Sequence, residues 1–232
     1  MVKTAIVTGA SSGIGKEISI RLLSLGYRVI GVSRRDSSID NNNFISLQAD
    51  LSKENSTLLL CEQLKKEKNI HVLVNSAGFG RFEPHEELNP KTIIEMTFVN
   101  LTAPILITNA LLRTLKQNSG YLININSIEA LRASKFSALY GATKAGLKSF
   151  GDSLFEESRK SKLSITNINP DMTQSPFYDK LRFETSQKDD EKLLTSDIAD
   201  GVEHILKMRK GAVVSEYTIR SLNFGISKKT KK

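Results

Sequence analysis

At 232 residues, with 39% hydrophobic and 25% charged side chains, the chain has the material for one sizeable core and is not a disordered polymer. The formal charge of +8 argues weakly, because Lys228, Lys229, Lys231 and Lys232 supply half of it. Without interleaved aromatics or zinc-ligand spacing beside it, a nucleic-acid partner is excluded.

The first strand pattern spans residues 4–8, beginning near Val2, which leaves no length for a leader peptide. An amphipathic helix follows at 13–25, then a strand at 28–33. The polar stretch 36–43 is too short for a helix, so a tight connection leads to a third strand at 44–49. A helix at 53–68 holds the single cysteine, Cys61, so no intrachain disulfide is possible and a reducing cytoplasm is expected. The strand at 71–75 precedes a long helix at 90–118, interrupted by Pro104. Strands at 121–126 and 164–169 flank a helix at 138–160, and a helix at 197–208 and a strand at 213–218 complete the series. Residues 171–196 show no regular pattern. No apolar run approaches the ~18 residues that cross a bilayer, so no membrane partner is expected. Alternation of strands and helices predicts an α/β fold: a single-domain, Rossmann-type, doubly wound parallel sheet of seven strands with helices on both faces. That domain covers 1–227, and 228–232 forms a frayed basic tail.

Gly9, Gly13 and Gly15 fall between the first strand and its helix, in the run Gly9-Ala10-Ser11-Ser12-Gly13-Ile14-Gly15. Absent side chains let the backbone turn sharply and approach a pyrophosphate, while the leading helical N–H groups face its charge. Asp50, followed by Leu51, ends the third strand where a carboxylate can accept from an adenine amino group. Asn75, Ala77 and Gly78 end the fourth, where small residues run beside a ribose. The second strand ends in Ser33, Arg34 and Arg35. A carboxylate at Ser33 would repel a 2′-phosphate, whereas arginine forks match phosphate oxygens, so NADP(H) is the expected cofactor.

Tyr140 and Lys144 stand four apart on the helix at 138–160 and share a face. Ser127 lies just past the fifth strand and reaches the same space. Tyrosine titrates near 10 when free. An adjacent ammonium and an oxidised nicotinamide would lower that value, making Tyr140 a general acid or base. Ser127 would steady charge on the substrate oxygen. Pro104 has no N–H for the carbonyl of Asn100, which is thereby freed to bind a water connecting Lys144 to solvent. His71, His85 and His204 share no spacing suited to a metal, and none is expected.

The chain resembles the short-chain dehydrogenase/reductase family over essentially its full length. Residues 8–15 match its cofactor loop, Asn75 to Gly78 its Asn-Asn-Ala-Gly motif with Ser76 in second place, and Asn100, Ser127, Tyr140 and Lys144 its catalytic tetrad. Pro170, Thr173 and Ser175 fall in its nicotinamide-binding segment, where Asp171 replaces a glycine and Ser175 stands in the carboxamide-holding place. The resemblance implies hydride transfer between NADP(H) and a small carbonyl or alcohol, with Tyr140 and Lys144 also touching the cofactor. It also implies homodimers or homotetramers paired through the helices at 90–118 and 138–160. A non-catalytic cofactor sensor, or a reductase of 3-oxoacyl thioesters, is the alternative. Residues 171–196 are expected to form a mobile lid. Phe79, Phe82, Phe177, Tyr178 and Phe183 flank the cleft and either line it or pack.

Overall fold

The structure, a computed structural model, describes residues 2–229. β1 (Thr4–Thr8) is buried along its whole length and turns at the glycine run into α1 (Gly13–Ser24). β2 (Arg28–Ser33), β3 (Phe44–Gln48), α2 (Glu54–Leu64) and β4 (Ile70–Asn75) complete the first half. The second half runs α3 (Pro90–Thr97), α4 (Ala103–Gln117), β5 (Tyr121–Ile125), α5 (Ala138–Ser158) and β6 (Ser164–Pro170). After it come β7 (Phe183–Thr185), α6 (Thr195–Lys207), β8 (Glu216–Ile219) and β9 (Ile226–Lys228).

Seven strands pair in the order β3-β2-β1-β4-β5-β6-β8, all parallel. The order in which strands are added reverses between β1 and β4, and the glycine turn leaves β1 at that switch point, where open α/β sheets bind ligands. Alternate side chains divide the core in two. Ile6, Ile30, Leu73, Leu122 and Ile165 face α2, α4 and α5. Ala5, Val29, Val72, Ile123 and Ile168 face α1 and α6. Both faces are therefore covered, as strands with near-continuous apolar sequence require.

One side of this core is crossed by a buried amide ladder. Asn75 is paired in register with Asn124, and Asn124 with Asn167. Asn75 Nδ2 donates to Asn124 Oδ1 at 3.0 Å, and Asn124 Nδ2 donates to Asn167 Oδ1 at 3.2 Å. Asn167 Nδ2 ends the row on the Lys148 carbonyl and on Asp152 Oδ1, at 3.1 and 2.8 Å. α5 lies so near that a Cβ on Gly151 would stand 2.5 Å from Asn167 Oδ1.

Three departures from the sequence expectations fall in two regions. The helix expected at 90–118 is interrupted by a π turn at Phe98–Thr102, where the N–H of Ala103 bonds the Phe98 carbonyl. The helix thus widens before Pro104 rather than simply losing one hydrogen bond at Asn100. The segment Pro90–Gln117 is also long and apolar enough to cross a membrane, with a mean hydropathy of 1.3, contrary to the expectation that no run would be. Part of that hydropathy is its core face: Met96, Ile107, Leu111 and Leu115 are fully buried.

The third departure is in residues 171–196. They hold β7, which pairs antiparallel with β9 through Phe183 and Lys228, Glu184 and Ser227, and Thr185 and Ile226. The Lys229 N–H bonds the Arg182 carbonyl, and its ammonium donates to the carbonyls of Tyr178 and Asp179. Strands of three residues leave no periodic signal, which is why neither was visible. Lys228 and Lys229 thus belong to a strap across the segment and are not frayed. Lys231 and Lys232 lie outside the described residues.

Candidate active site

Close backbone approach defines the glycine cradle. A Cβ on Gly15 would sit 2.4 Å from the Gly9 carbonyl oxygen, so only glycine allows α1 to start against the turn. Gly13 has φ +57°, and its Cβ would meet Ser175 Cβ at 3.3 Å, which brings the segment after β6 over the cradle. Ser12 precedes α1 in extended conformation without a side-chain capping bond. The first N–H groups of the helix, from Gly13 through Ile14 and Gly15, are left for an anion. Ser11 lies half-buried in the same turn. These features suit a dinucleotide pyrophosphate.

Beside the cradle, the Ser33 hydroxyl donates to the Arg35 carbonyl and ties down the turn that exposes Arg34 and Arg35. Asp50 Oδ1 accepts from the Ser52 N–H and hydroxyl at 3.1 and 2.7 Å. Burial would raise the Asp50 carboxyl, but these bonds and the nearby charges of Arg34 and Lys53 outweigh it and keep the group below its ordinary range. Leu51 turns its side chain into the core. Thr8 Oγ1 accepts from the N–H groups of Ser76 and Ala77, both at 3.0 Å, fixing this turn to the end of β1. Asn75 spends its amide nitrogen within the core on Thr108 and Asn124.

Gly78 joins the two halves of the site. A Cβ there would stand 3.1 Å from Asn100 Oδ1 and 3.5 Å from Lys144 Nζ. The π turn presents the Asn100 amide to this spot. Its Oδ1 accepts from the Phe79 N–H at 3.1 Å, and its Nδ2 donates to the Phe79 carbonyl and to Thr143 Oγ1 at 2.9 and 3.1 Å. Asn100 therefore clamps the turn after β4 onto α5 through its side chain, a role the proline argument did not reach.

Lys144 is buried and donates to the Ile125 carbonyl at 2.8 Å. Burial lowers its ammonium to about 8. The Tyr140 ring packs between Phe82 and Phe177, with centroids 5.1 and 5.8 Å away. Burial pushes the Tyr140 phenol up, Tyr178 and Glu129 add to this, and a hydrogen bond with Ser127 opposes it. The sequence expectation was a phenol lowered by Lys144. Desolvation is the larger effect in the protein itself, since the ammonium, 5.9 Å from the ring centroid, is engaged by Ile125.

Ser127 and Tyr140 meet at one side of a cavity of about 370 Å3. Phe82, Phe177, Tyr178 and Phe183 line it, while Phe79 does not. Sequence reasoning missed Phe224 and Ile226, which the strap brings in, and Glu129, two residues beyond Ser127. It also missed the use of Asp171. That carboxylate accepts from Arg220 Nε at 3.1 Å and from the Met172 N–H at 2.9 Å, latching the segment after β6 to the end of β8. Thr173 and Ser175 continue this segment, each hydroxyl donating to a backbone carbonyl two residues back, and Pro170 ends β6. Among the described residues, no three His, Cys, Asp or Glu side chains gather as metal ligands would.

A doubly wound parallel sheet with a glycine cradle at its switch point, opening beside a serine–tyrosine pair, has the architecture of a Rossmann-type oxidoreductase. Residues 3–185 match the family model described as short chain dehydrogenase, and the chain belongs to that family. It is 33% identical over 230 residues to a protein of Staphylococcus saprophyticus named an uncharacterized oxidoreductase, covering 94% of this chain and 97% of the relative. A probable NADP-dependent dehydrogenase of Haemophilus influenzae is 30% identical over 189 residues, covering 78% of this chain and 75% of its own. Among solved structures, an alcohol dehydrogenase of the archaeon Thermococcus sibiricus, complexed with 5-hydroxy-NADP, superposes with a TM-score of 0.84 at 25% identity. It covers 96% of this chain and 97% of that one.

Proposed function

We propose that this oxidoreductase uses NADP(H) to interconvert a small carbonyl compound and its alcohol, with Tyr140 as proton donor and acceptor. The observation that carries this reading is the placement of Ser127 and Tyr140 on an apolar cavity of about 370 Å3, with the Lys144 ammonium behind Gly78 on the cradle side. A nicotinamide bound there supplies the hydride in reduction and takes it in oxidation. Tyr140 passes its proton to the carbonyl oxygen during reduction, and Ser127 donates a hydrogen bond to the same oxygen. Lys144 holds the nicotinamide ribose and favours the phenolate that Tyr140 leaves behind. Asn100 keeps the Gly78–Phe79 turn and α5 in mutual position. The aromatic wall excludes water.

NADP(H) rather than NAD(H) is supported by Ser33, Arg34 and Arg35, and by the cofactor that two of the similar proteins carry in their names. Pairing of copies through α4 and α5, and residence in a reducing cytoplasm, belong to the same reading, the latter on the buried free thiol of Cys61. The test is fluorescence titration with NADPH and NADH, followed by absorbance assays on a panel of carbonyls. NADPH is expected to bind more tightly, and Arg34→Ala to erode the preference by about 1.5 kcal/mol, the value of a charge-assisted contact. Equal affinities in the parent would remove the NADP(H) assignment, and retention of turnover in Tyr140→Phe would remove the mechanism.

A further inference from the structure

Of the charged side chains that line the cavity and that the proton relay does not use, Glu129 lies nearest in the chain to Ser127. Glu129 lies on the short turn Ile128–Ala130, and its N–H donates to the Ser127 hydroxyl at 3.2 Å. Its side chain therefore begins beside the group that meets the substrate oxygen. The carboxylate is nearly enclosed, with 11% of the side chain exposed. Oε1 accepts from Arg132 Nε at 3.2 Å and from the Ser134 hydroxyl at 2.9 Å. Oε2 is buried and accepts from nothing among the described residues.

A structural ion pair with Arg132 accounts for Oε1 alone. A carboxylate oxygen taken from water without a donor destabilises the fold, and a donor brought by a ligand relieves that cost. Lys135, Ser137 and Lys228 line the same cavity, but none of them bonds Oε2. Phe82, Phe177 and Phe183 are apolar, and the Tyr178 hydroxyl points to Met172 Sδ at 3.5 Å. The carboxylate also acts electrostatically on this space, since its charge helps to raise the phenols of both Tyr140 and Tyr178.

We infer that Glu129 is a substrate-binding residue whose carboxylate turns its unpaired oxygen, covered in the structure, toward the cavity to accept a hydrogen bond from a hydroxyl or ammonium close to the reacting carbon. The substrates are then carbonyl compounds bearing such a donor on the neighbouring carbon, with vicinal diols or amino alcohols as their reduced forms. The position follows from Glu129 and Ser127 sharing one turn, which puts the two contacts on neighbouring parts of the ligand. This inference rests on the carbonyl–alcohol reading above.

The experiment compares butanone, acetoin and aminoacetone as substrates with NADPH: no adjacent donor, an adjacent hydroxyl, and an adjacent ammonium. The parent is expected to show kcat/KM at least about tenfold higher for acetoin and aminoacetone than for butanone, as a site lacking its polar partner penalises the plain analogue. Glu129→Gln keeps an acceptor and loses the charge, so it is expected to lose the aminoacetone advantage and keep part of that for acetoin. Glu129→Ala brings all three ratios toward one. Arg132→Ala, which breaks the ion pair and leaves the carboxylate, retains the preference. Calorimetric binding of the three compounds to the parent saturated with NADP+ gives the same ordering without turnover. Equal kcat/KM or equal binding across the panel, or ratios unaltered by both Glu129 variants, would overturn the inference. Loss of butanone turnover in Tyr140→Phe reports separately on the underlying reading, because it depends on no adjacent donor.

Discussion

The glycine edge and the aromatic cavity edge of this molecule, the proposed cofactor edge and substrate edge, lie side by side and are built by opposite means. At the cofactor edge, backbone and hydrogen, not side chains, set the shape: Gly9, Gly15 and Gly78 bring main chain within contact distance of main chain or of Asn100. Gly9 and Gly78 lie in turns that follow strands, and their contacts join separate segments, Gly9 to Ala77 and Gly78 to Asn100. At the substrate edge, side chains set the shape, and they arrive from distant places: Phe82 after β4, Tyr140 on α5, Phe177 after β6, and Phe224 before β9. A shape made by backbone tolerates little change, because one added carbon collides with atoms that cannot rotate away. A wall of rings can be trimmed and refilled. The dinucleotide is constant across a family of reactions and the substrate is not, so each method suits its ligand.

The largest expected effect joins the two edges. Tyr140→Phe removes one hydroxyl and little volume, so the protein should fold and hold NADPH as before while kcat falls about a hundredfold to ten-thousandfold. Single-turnover absorbance checks it, and a near-parental rate would show that the proton comes from elsewhere.

A matched pair then tests the contrast itself. Gly15→Ala forces a Cβ to within 2.4 Å of the Gly9 oxygen, and a shift of that kind costs about 1–3 kcal/mol of stability along with cofactor affinity. Phe224→Ala, at the other edge, should leave NADPH affinity and melting temperature nearly untouched and broaden the range of carbonyls accepted. Similar losses of cofactor affinity in both variants would break the comparison.

Lys144 gives a pH signature. Burial holds its ammonium at about 8 against an ordinary 10.5, so the fold bears the full penalty of a buried charge below pH 8. Between those values the unfolded chain keeps a proton that the folded chain has released, and this group's contribution to stability rises with pH. The raised phenols of Tyr140 and Tyr178 act in the opposite sense only near and above their ordinary value of 10.0, where the unfolded chain deprotonates first. Urea unfolding of the parent and of Lys144→Met is therefore expected to show the parent gaining about 2 kcal/mol on the variant from pH 8 to pH 10. A pH-independent difference would mean that the ammonium is not desolvated.

The smallest effect concerns the strap. Lys229→Ala deletes two hydrogen bonds to the carbonyls of Tyr178 and Asp179, about 1 kcal/mol in all. It should raise KM for the carbonyl, leave NADPH affinity alone, and speed tryptic cleavage near Lys180 and Arg182. Cleavage at the parental rate would mean that Lys229 does not hold the segment.

Legibility followed the same divide. The parallel sheet, the glycine turn and the shared helix of Tyr140 and Lys144 could be read because their signals are local: strand-length apolar runs, glycines between a strand and a helix, and two residues one helical turn apart. Strand ends moved by a few residues, most at β8, an edge strand that only β6 holds. The π turn was missed because the interruption it makes falls just before Pro104, where a proline alone already accounts for a break in the pattern. β7 and β9 were missed because each is too short to show a period. Glu129 offered no cue at all: its meaning lies in an oxygen left without a donor, which only three-dimensional placement reveals. Asp171 was noted as a replaced glycine, but its partner, Arg220, lies far along the chain.

The amide ladder has a consequence for how the sheet finds its own alignment. A slip of one residue between β4, β5 and β6 would carry each side chain to the opposite packed layer, where its neighbours differ in size. A slip of two keeps every side chain on its proper face, so hydrophobicity alone hardly distinguishes it from the native pairing. Asn75, Asn124 and Asn167 do distinguish it. Only the native register sets their amides opposite one another, and any other strands buried donors and acceptors at about 1–3 kcal/mol each. The row behaves as the teeth of a key, rejecting those misalignments that a greasy core would accept.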